Sequence, residues 1–122
     1  MQAVGLATSA VFKDDTTPLL PKFASVSAAS NGNNTLVAAV TGKKIRVLSM
    51  QLTMSGTTVT WAIQSGAGGT ALTGTMGPMA QGATVVWPFS PVGHFETAAG
   101  TLLNLSLGGA QTVAGSLVYV EV

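Results

Sequence analysis

From Lys22 onward strand signals recur along this chain, and no window of helical length repeats its apolar residues at three-to-four spacing. Val59, Trp61 and Ile63 set against Thr58, Thr60 and Gln64 give the clearest case, a strand with one face buried. Turn residues recur between such runs at the spacing of a sandwich or barrel. About eight strands follow, and two packed antiparallel sheets in a jelly-roll-like β-sandwich are the expected solution.

Strands are expected over residues 22–29, where Phe23 and Val26 supply apolar positions, and over 35–40, joined by a tight hairpin at Asn31-Gly32. A long strand over 44–55 carries its apolar residues on odd numbers at Ile45 and Val47 but on even numbers from Leu48 to Met54. That slip predicts a bulge near Val47-Leu48, which would bend the strand from one sheet toward the other. The glycine-rich stretch 65–82 reads as loops with one short strand near 70–73, and Met76-Gly77-Pro78-Met79 as part of those loops. Further strands are expected over 83–87, 95–97, 101–107 and 113–122. The last is apolar on both sides, with Leu117 and Tyr119 on one and Val118, Val120 and Val122 on the other. Such a strand belongs mid-sheet or at a subunit contact.

The 122 residues fit one domain, divided here into an N-terminal arm at 1–21 and a sandwich at 22–122. In the arm, Pro18 and Pro21 flank Leu19 and Leu20 and favour an extended path, read either as two leucines presented to a neighbour or as a frayed end. Residues 1–12 lack a basic leader and run into Lys13-Asp14-Asp15, so a cleaved signal peptide is not expected.

Only 7% of residues are Asp, Glu, Lys or Arg, against about 25% in ordinary domains. A net charge of +1 leaves no basic stripe for nucleic acid, and no apolar run is long enough for a membrane helix. With no cysteine, disulfides, thiolate metal sites and thiol nucleophiles are excluded. A surface so short of charge offers little repulsion between copies and favours association.

The titratable groups are few. His94 and Glu96 would point to one side of a strand but lack the further partners that hydrolysis or metal binding needs. Asp14 and Asp15 are expected to be solvated, and the glycine-rich 66–71 loop has no Walker lysine. Asn33-Asn34-Thr35 and Asn104-Leu105-Ser106 match the glycosylation triplet by spacing alone. Lys43, Lys44 and Arg46 form the sole basic cluster, read as a solvated hairpin end or a dock for an acidic surface. Neither catalytic residue, metal nor cofactor is expected, and no small-molecule substrate. Trp61 and Tyr119 are expected in the core, whereas Trp87-Pro88-Phe89 is the best candidate for an exposed contact, because Pro88 blocks normal pairing.

Two stretches resemble a family of short tailed-bacteriophage proteins. The segment Asn34-Thr35-Leu36-Val37-Ala38-Ala39-Val40-Thr41-Gly42-Lys43-Lys44-Ile45-Arg46-Val47-Leu48 is similar to their valine-alanine-glycine-lysine-lysine-isoleucine hairpin. The segment Pro91-Val92-Gly93-His94-Phe95-Glu96-Thr97-Ala98-Ala99-Gly100-Thr101-Leu102-Leu103-Asn104-Leu105 is similar to their glycine-aromatic-x-threonine segment. With the final strand, the likeness spans about three-quarters of the chain and touches the arm least. The resemblance implies a virion structural protein, a capsid decoration (cement) protein that sits on the capsid surface as a homotrimer and binds the major capsid protein. Leu19, Leu20, Trp87, Phe89, Leu117 and Tyr119 are the expected capsid or subunit contacts. The competing expectation is a head-fibre, tail-fibre or spike domain that adheres to cell-surface glycans through Trp87, Phe89 and the glycine-rich loops.

Overall fold

The structure, a computed structural model, describes Lys13–Asp14 and residues 17–122, with side chains from Leu19 onward. The expectations for residues 1–12, and for the Asp14 and Asp15 side chains, lie outside that description. β1 (Lys13–Asp14) and β2 (Thr17–Pro18) form a small ladder of their own. The sandwich comprises β3 (Lys22–Ala28), β4 (Gly32–Val37), β5 (Ile45–Met54), β6 (Val59–Ser65), β7 (Thr70–Ala71), β8 (Met76–Met79), β9 (Thr84–Trp87), β10 (Phe95–Glu96), β11 (Leu103–Leu107) and β12 (Val113–Glu121).

One sheet runs β3, β12, β5, with β9 and β10 sharing the far edge of β5. The other runs β4, β11, β6, with β7 and β8 sharing the far edge of β6. The first strand thus pairs with the last, the second with the second-last, and so on inward. An antiparallel ribbon paired this way and rolled on itself is a jelly roll. Period-two alternation fills the space between the sheets. Val26, Leu52, Met54, Val113 and Leu117 from one sheet join Val59, Trp61, Ile63, Leu103, Leu105 and Leu107 from the other in a single buried cluster. Each fully buried branched side chain contributes about 1.5–3 kcal/mol.

The phase slip in β5 is a bulge at Leu48. Val118 of β12 lies opposite Ser49 and Tyr119 opposite Val47, which leaves Leu48 unmatched. β5 does not bend toward the other sheet, since it pairs with β12 along its whole length. The bulge instead divides the other edge of β5. β10 pairs at Arg46 and Val47, and β9 from Met50 to Thr53. Between them the 88–94 loop is anchored to the bulge by Ser90 N donating to Leu48 O (2.9 Å) and His94 N donating to Val47 O (2.9 Å).

The Asn31-Gly32 turn is not a hairpin. Its two flanking strands belong to different sheets, and Gly32, at φ +86°, turns a corner between them. Asn34 holds that corner: its Nδ2 donates to Ser30 O (2.9 Å), Gly32 O (3.1 Å) and Leu105 O (3.2 Å), while Ser30 N donates to its Oδ1 (3.2 Å). An Asn34→Ala variant removes all four bonds and strands backbone carbonyls, so its denaturant midpoint is expected to fall with a loss of about 1–3 kcal/mol. Met76–Met79, expected as loop, pairs with Val59 and Trp61 at a sheet edge, where a proline's missing N–H costs nothing.

Candidate interaction surface

Among residues 19–122 the charged side chains are Lys22, Lys43, Lys44, Arg46, Glu96 and Glu121, and backbone pairing gathers them at one end of the sandwich. Glu121 lies opposite Ile45 and Lys22 opposite Tyr119, and Glu96 lies opposite Arg46. Lys44 exchanges both backbone bonds with Val122, and Gly100 N donates to Lys43 O (2.8 Å). Ion pairs follow: Arg46 Nε to Glu96 Oε1 at 2.8 Å, Lys44 Nζ to Glu96 Oε2 at 3.7 Å, and Lys22 Nζ to Glu121 Oε1 at 2.8 Å. The hydrogen bond that Lys22 donates to Glu121, and then the negative charge of that carboxylate, raise the pKa of the Lys22 ammonium above its ordinary value of 10.5.

The opposite end is formed by the loops at 29–31, 55–58, 80–83 and 108–112. They are knitted by Ser55 N donating to Thr112 O (2.9 Å), Met54 N to Ala83 O (2.9 Å) and Thr57 N to Gln111 Oε1 (2.9 Å). None of these loops holds an ionisable side chain.

His94 and Glu96 have separate partners. The imidazole Nε2 lies 2.5 Å from Pro88 O and braces the 88–94 loop, while Glu96 takes Arg46 and Lys44. No group of three or more potential metal ligands occurs among the described residues, nor any helix long and apolar enough to cross a membrane.

The expected contact residues separate into two sets. Leu20 is 77% exposed and Phe89 53%, with Leu19 partly covered. Leu117 is buried in the core, opposite Met50, and Tyr119, opposite Val47, packs against the same cluster. Their face of β12 is therefore the inward one. The mid-sheet alternative is the one realised, since β12 lies between β3 and β5. Trp87 also turns inward, because it lies opposite Met50. Its ring stands edge-on to Trp61 (centroids 5.7 Å apart, 77°) and to Phe95 (6.0 Å, 90°), which closes the β9–β10 side of the core. A proline after Trp87 did not expose it; strand alternation with Val85 decided the direction.

What the strand pattern leaves outside is the opposite phase. On the β3–β12–β5–β9 sheet the outer face carries Phe23, Val118 and Val86 among serine, threonine and glutamine side chains, with its charge confined to Arg46, opposite Val120, and the neighbouring Glu96 at one end. Phe23 is 81% exposed and Val86 59%. Both run against the ordinary expectation that apolar strand residues face the core. The signal was present in the phase, since Val26 and Ala28 share the even positions and leave Phe23 on the serine side. A depression of about 230 Å³ opens on this face, lined by Ser49, Gln51, Val86, Phe89, Ser116 and Val118 among others.

The outer face of the second sheet is uncharged. Asn104, only 1% exposed, donates from Nδ2 to Asn33 Oδ1 (3.0 Å) and Gln64 Oε1 (2.9 Å). Gly68 N also donates to Asn33 Oδ1 (2.9 Å), which fastens the glycine-rich loop to this face. The triplet at Asn104 is therefore closed to a glycosylating enzyme in the folded chain.

No family model matches this chain, and no curated protein matches it. Among solved structures it is similar to the cyanophage Pam1 capsid asymmetric unit, at 16% identity over 84% of this chain and 85% of that one, with a TM-score of 0.42. It is also similar to a chain of infectious bursal disease virus, Gx strain, at 15% identity over 82% of this chain and 32% of that one, with a TM-score of 0.33. Neither likeness carries a functional argument.

Proposed function

We propose that this chain is a structural protein of a virus particle that decorates and stabilises a phage capsid, bound to the lattice of the major capsid protein as a trimer. The reading rests on one observation above the others: every charged side chain among residues 19–122 is gathered at one end, while the rest of both sheet faces and the far end are neutral among those residues. Fixed charges are costly to strip of water and repel identical copies; a surface of hydroxyls, amides and methyl groups is cheaper to desolvate and carries no such repulsion. The two segments that resemble short phage proteins point the same way. Modest contacts repeated over a shell lattice then add through avidity. On this reading the chain has no catalytic residue, and Glu96, Arg46 and His94 serve the fold.

The glycan-adhesion alternative loses its main support, since Trp87 packs against Trp61 and Phe95. The test is reconstitution on particles that lack the protein. Stoichiometric recovery of the full chain with particles, and its loss on deleting residues 1–21, is the expected result. A full chain left in the supernatant, with binding to a glycan array that Trp87→Ala abolishes, overturns it.

A further inference from the structure

The chain holds four asparagines, at 31, 33, 34 and 104, and three of them are fastened. Asn33 Oδ1 accepts from Gly68 N (2.9 Å) and Asn104 Nδ2 (3.0 Å), Asn104 is 1% exposed, and Asn34 is held by four hydrogen bonds. Asn31 is exposed, and its side chain makes no hydrogen bond among the described residues. It alone is followed by glycine; Asn34, Thr35 and Leu105 follow the others. Gly32 has a φ of +86°, and nothing lies within 4 Å of its Cβ position. A residue without Cβ lets its backbone nitrogen approach the preceding side chain, an approach that a larger residue crowds. The four bonds of Asn34 fall on Ser30 N, Ser30 O, Gly32 O and Leu105 O, so none of them fastens the Asn31–Gly32 peptide.

We infer that Asn31 deamidates spontaneously in the folded chain and so places a carboxylate at the neutral end of the sandwich. The Gly32 amide nitrogen loses its proton, and its electron pair bonds to Asn31 Cγ. The Cγ–Nδ2 bond breaks, and Nδ2 takes up a proton and leaves as ammonia. Water then opens the cyclic imide: its hydroxyl adds to one of the two carbonyl carbons and its other proton goes to the ring nitrogen. Opening at Cγ leaves aspartate, opening at the main-chain carbonyl leaves isoaspartate, and neither needs an oxidant or reductant. The loops at 29–31, 55–58, 80–83 and 108–112 share this end and hold no ionisable side chain. Either product therefore gives the end a charge it otherwise lacks among residues 19–122, and cancels the formal net charge of +1. Isoaspartate also routes the main chain through the former side chain, which lengthens the corner and draws the Ser30 and Gly32 carbonyls away from Asn34 Nδ2. This chemistry proceeds whether or not the chain decorates a capsid.

The test incubates the full-length chain and a full-length Asn31→Ser variant at mildly alkaline pH, with matching circular dichroism melts beforehand as a folding check. Isoelectric focusing is expected to show the wild type shifting by one charge toward the acidic side as incubation lengthens, while the variant holds its position. The shift is expected to come sooner at higher pH, because the attacking nitrogen must lose its proton. Peptide mapping by fragmentation mass spectrometry is expected to place the new acid at position 31, as aspartate and isoaspartate together, with Asn33, Asn34 and Asn104 still amides. A wild type that keeps its charge, an acid that forms first at another asparagine, aspartate without isoaspartate, or a variant that acidifies as fast as the wild type each overturns the assignment. The isoaspartate fraction, separated by ion exchange, is expected to unfold at a lower denaturant midpoint than fresh protein. An unchanged midpoint overturns the loosening of the Asn34 corner.

Discussion

Gly115→Ala is expected to lower the stability of this protein by about 3 kcal/mol or more, with a drop in melting temperature on the order of 10 °C. Gly115 lies in β12, the strand flanked on both sides in its sheet, opposite Leu52 of β5. A Cβ there would collide with Gln51 O, and would stand 2.9 Å from Gln51 C and 3.1 Å from Leu52 Cα. All three are backbone atoms, so no rotamer change relieves the contact. The strands must part, and ladder hydrogen bonds break as they do. Gly109→Ala is the matched control: nothing lies within 4 Å of its Cβ position, and a change within about 0.5 kcal/mol is expected. Thermal melts of the two variants check both.

Trp61→Ala is the second large effect. The side chain is 1% exposed, its indole N–H donates to Met79 Sδ at 3.4 Å, and its ring meets Trp87 edge-on. Truncation of a buried aromatic costs about 3–5 kcal/mol, and the lost aromatic pair adds about 0.5–1.5 kcal/mol. Against a total of about 5–15 kcal/mol for a domain, the variant is expected to be close to or past its unfolding threshold at room temperature. Chemical denaturation followed by far-ultraviolet circular dichroism measures this. Full cooperativity with an unchanged midpoint would show that the two sheets do not depend on Trp61.

These two residues also mark how much of the molecule its sequence disclosed. Trp61 was legible as core because strict alternation surrounds it, and the Leu48 bulge because a phase slip in a long strand has few other meanings. Partner choice was not legible at Asn31-Gly32: a left-handed glycine serves a hairpin and a sandwich corner equally, and only distant pairing with β11 and β12 decides between them. β8 was hidden because Gly77 and Pro78 suppress strand signals that an edge position tolerates. The candidate surface suffered from the opposite error. Trp87, expected at a contact because Pro88 follows it, and Leu117 and Tyr119, expected there because their strand is apolar on both sides, turn inward, whereas Phe23 and Val86, on the phase of the serines and threonines, stand outside. Gly115 gives no sign in the sequence of the close strand approach that requires it.

Charge ties fold to function in this account. The rolled ribbon brings the starts of β3 and β5 and the ends of β10 and β12 together, and with them all the ions of residues 19–122, so that the remaining surface of those residues is neutral. Attachment through that neutral surface has no counterions to release and little Coulomb energy to screen. The direct test is cosedimentation of the purified full-length chain with particles that lack it, as salt is raised from ~0.01 M to ~1 M and the screening length falls from about 30 to about 3 Å. Saturable binding whose bound fraction stays level across that range is the predicted result. A bound fraction that collapses as salt rises, or a protein that never leaves the supernatant, would contradict it.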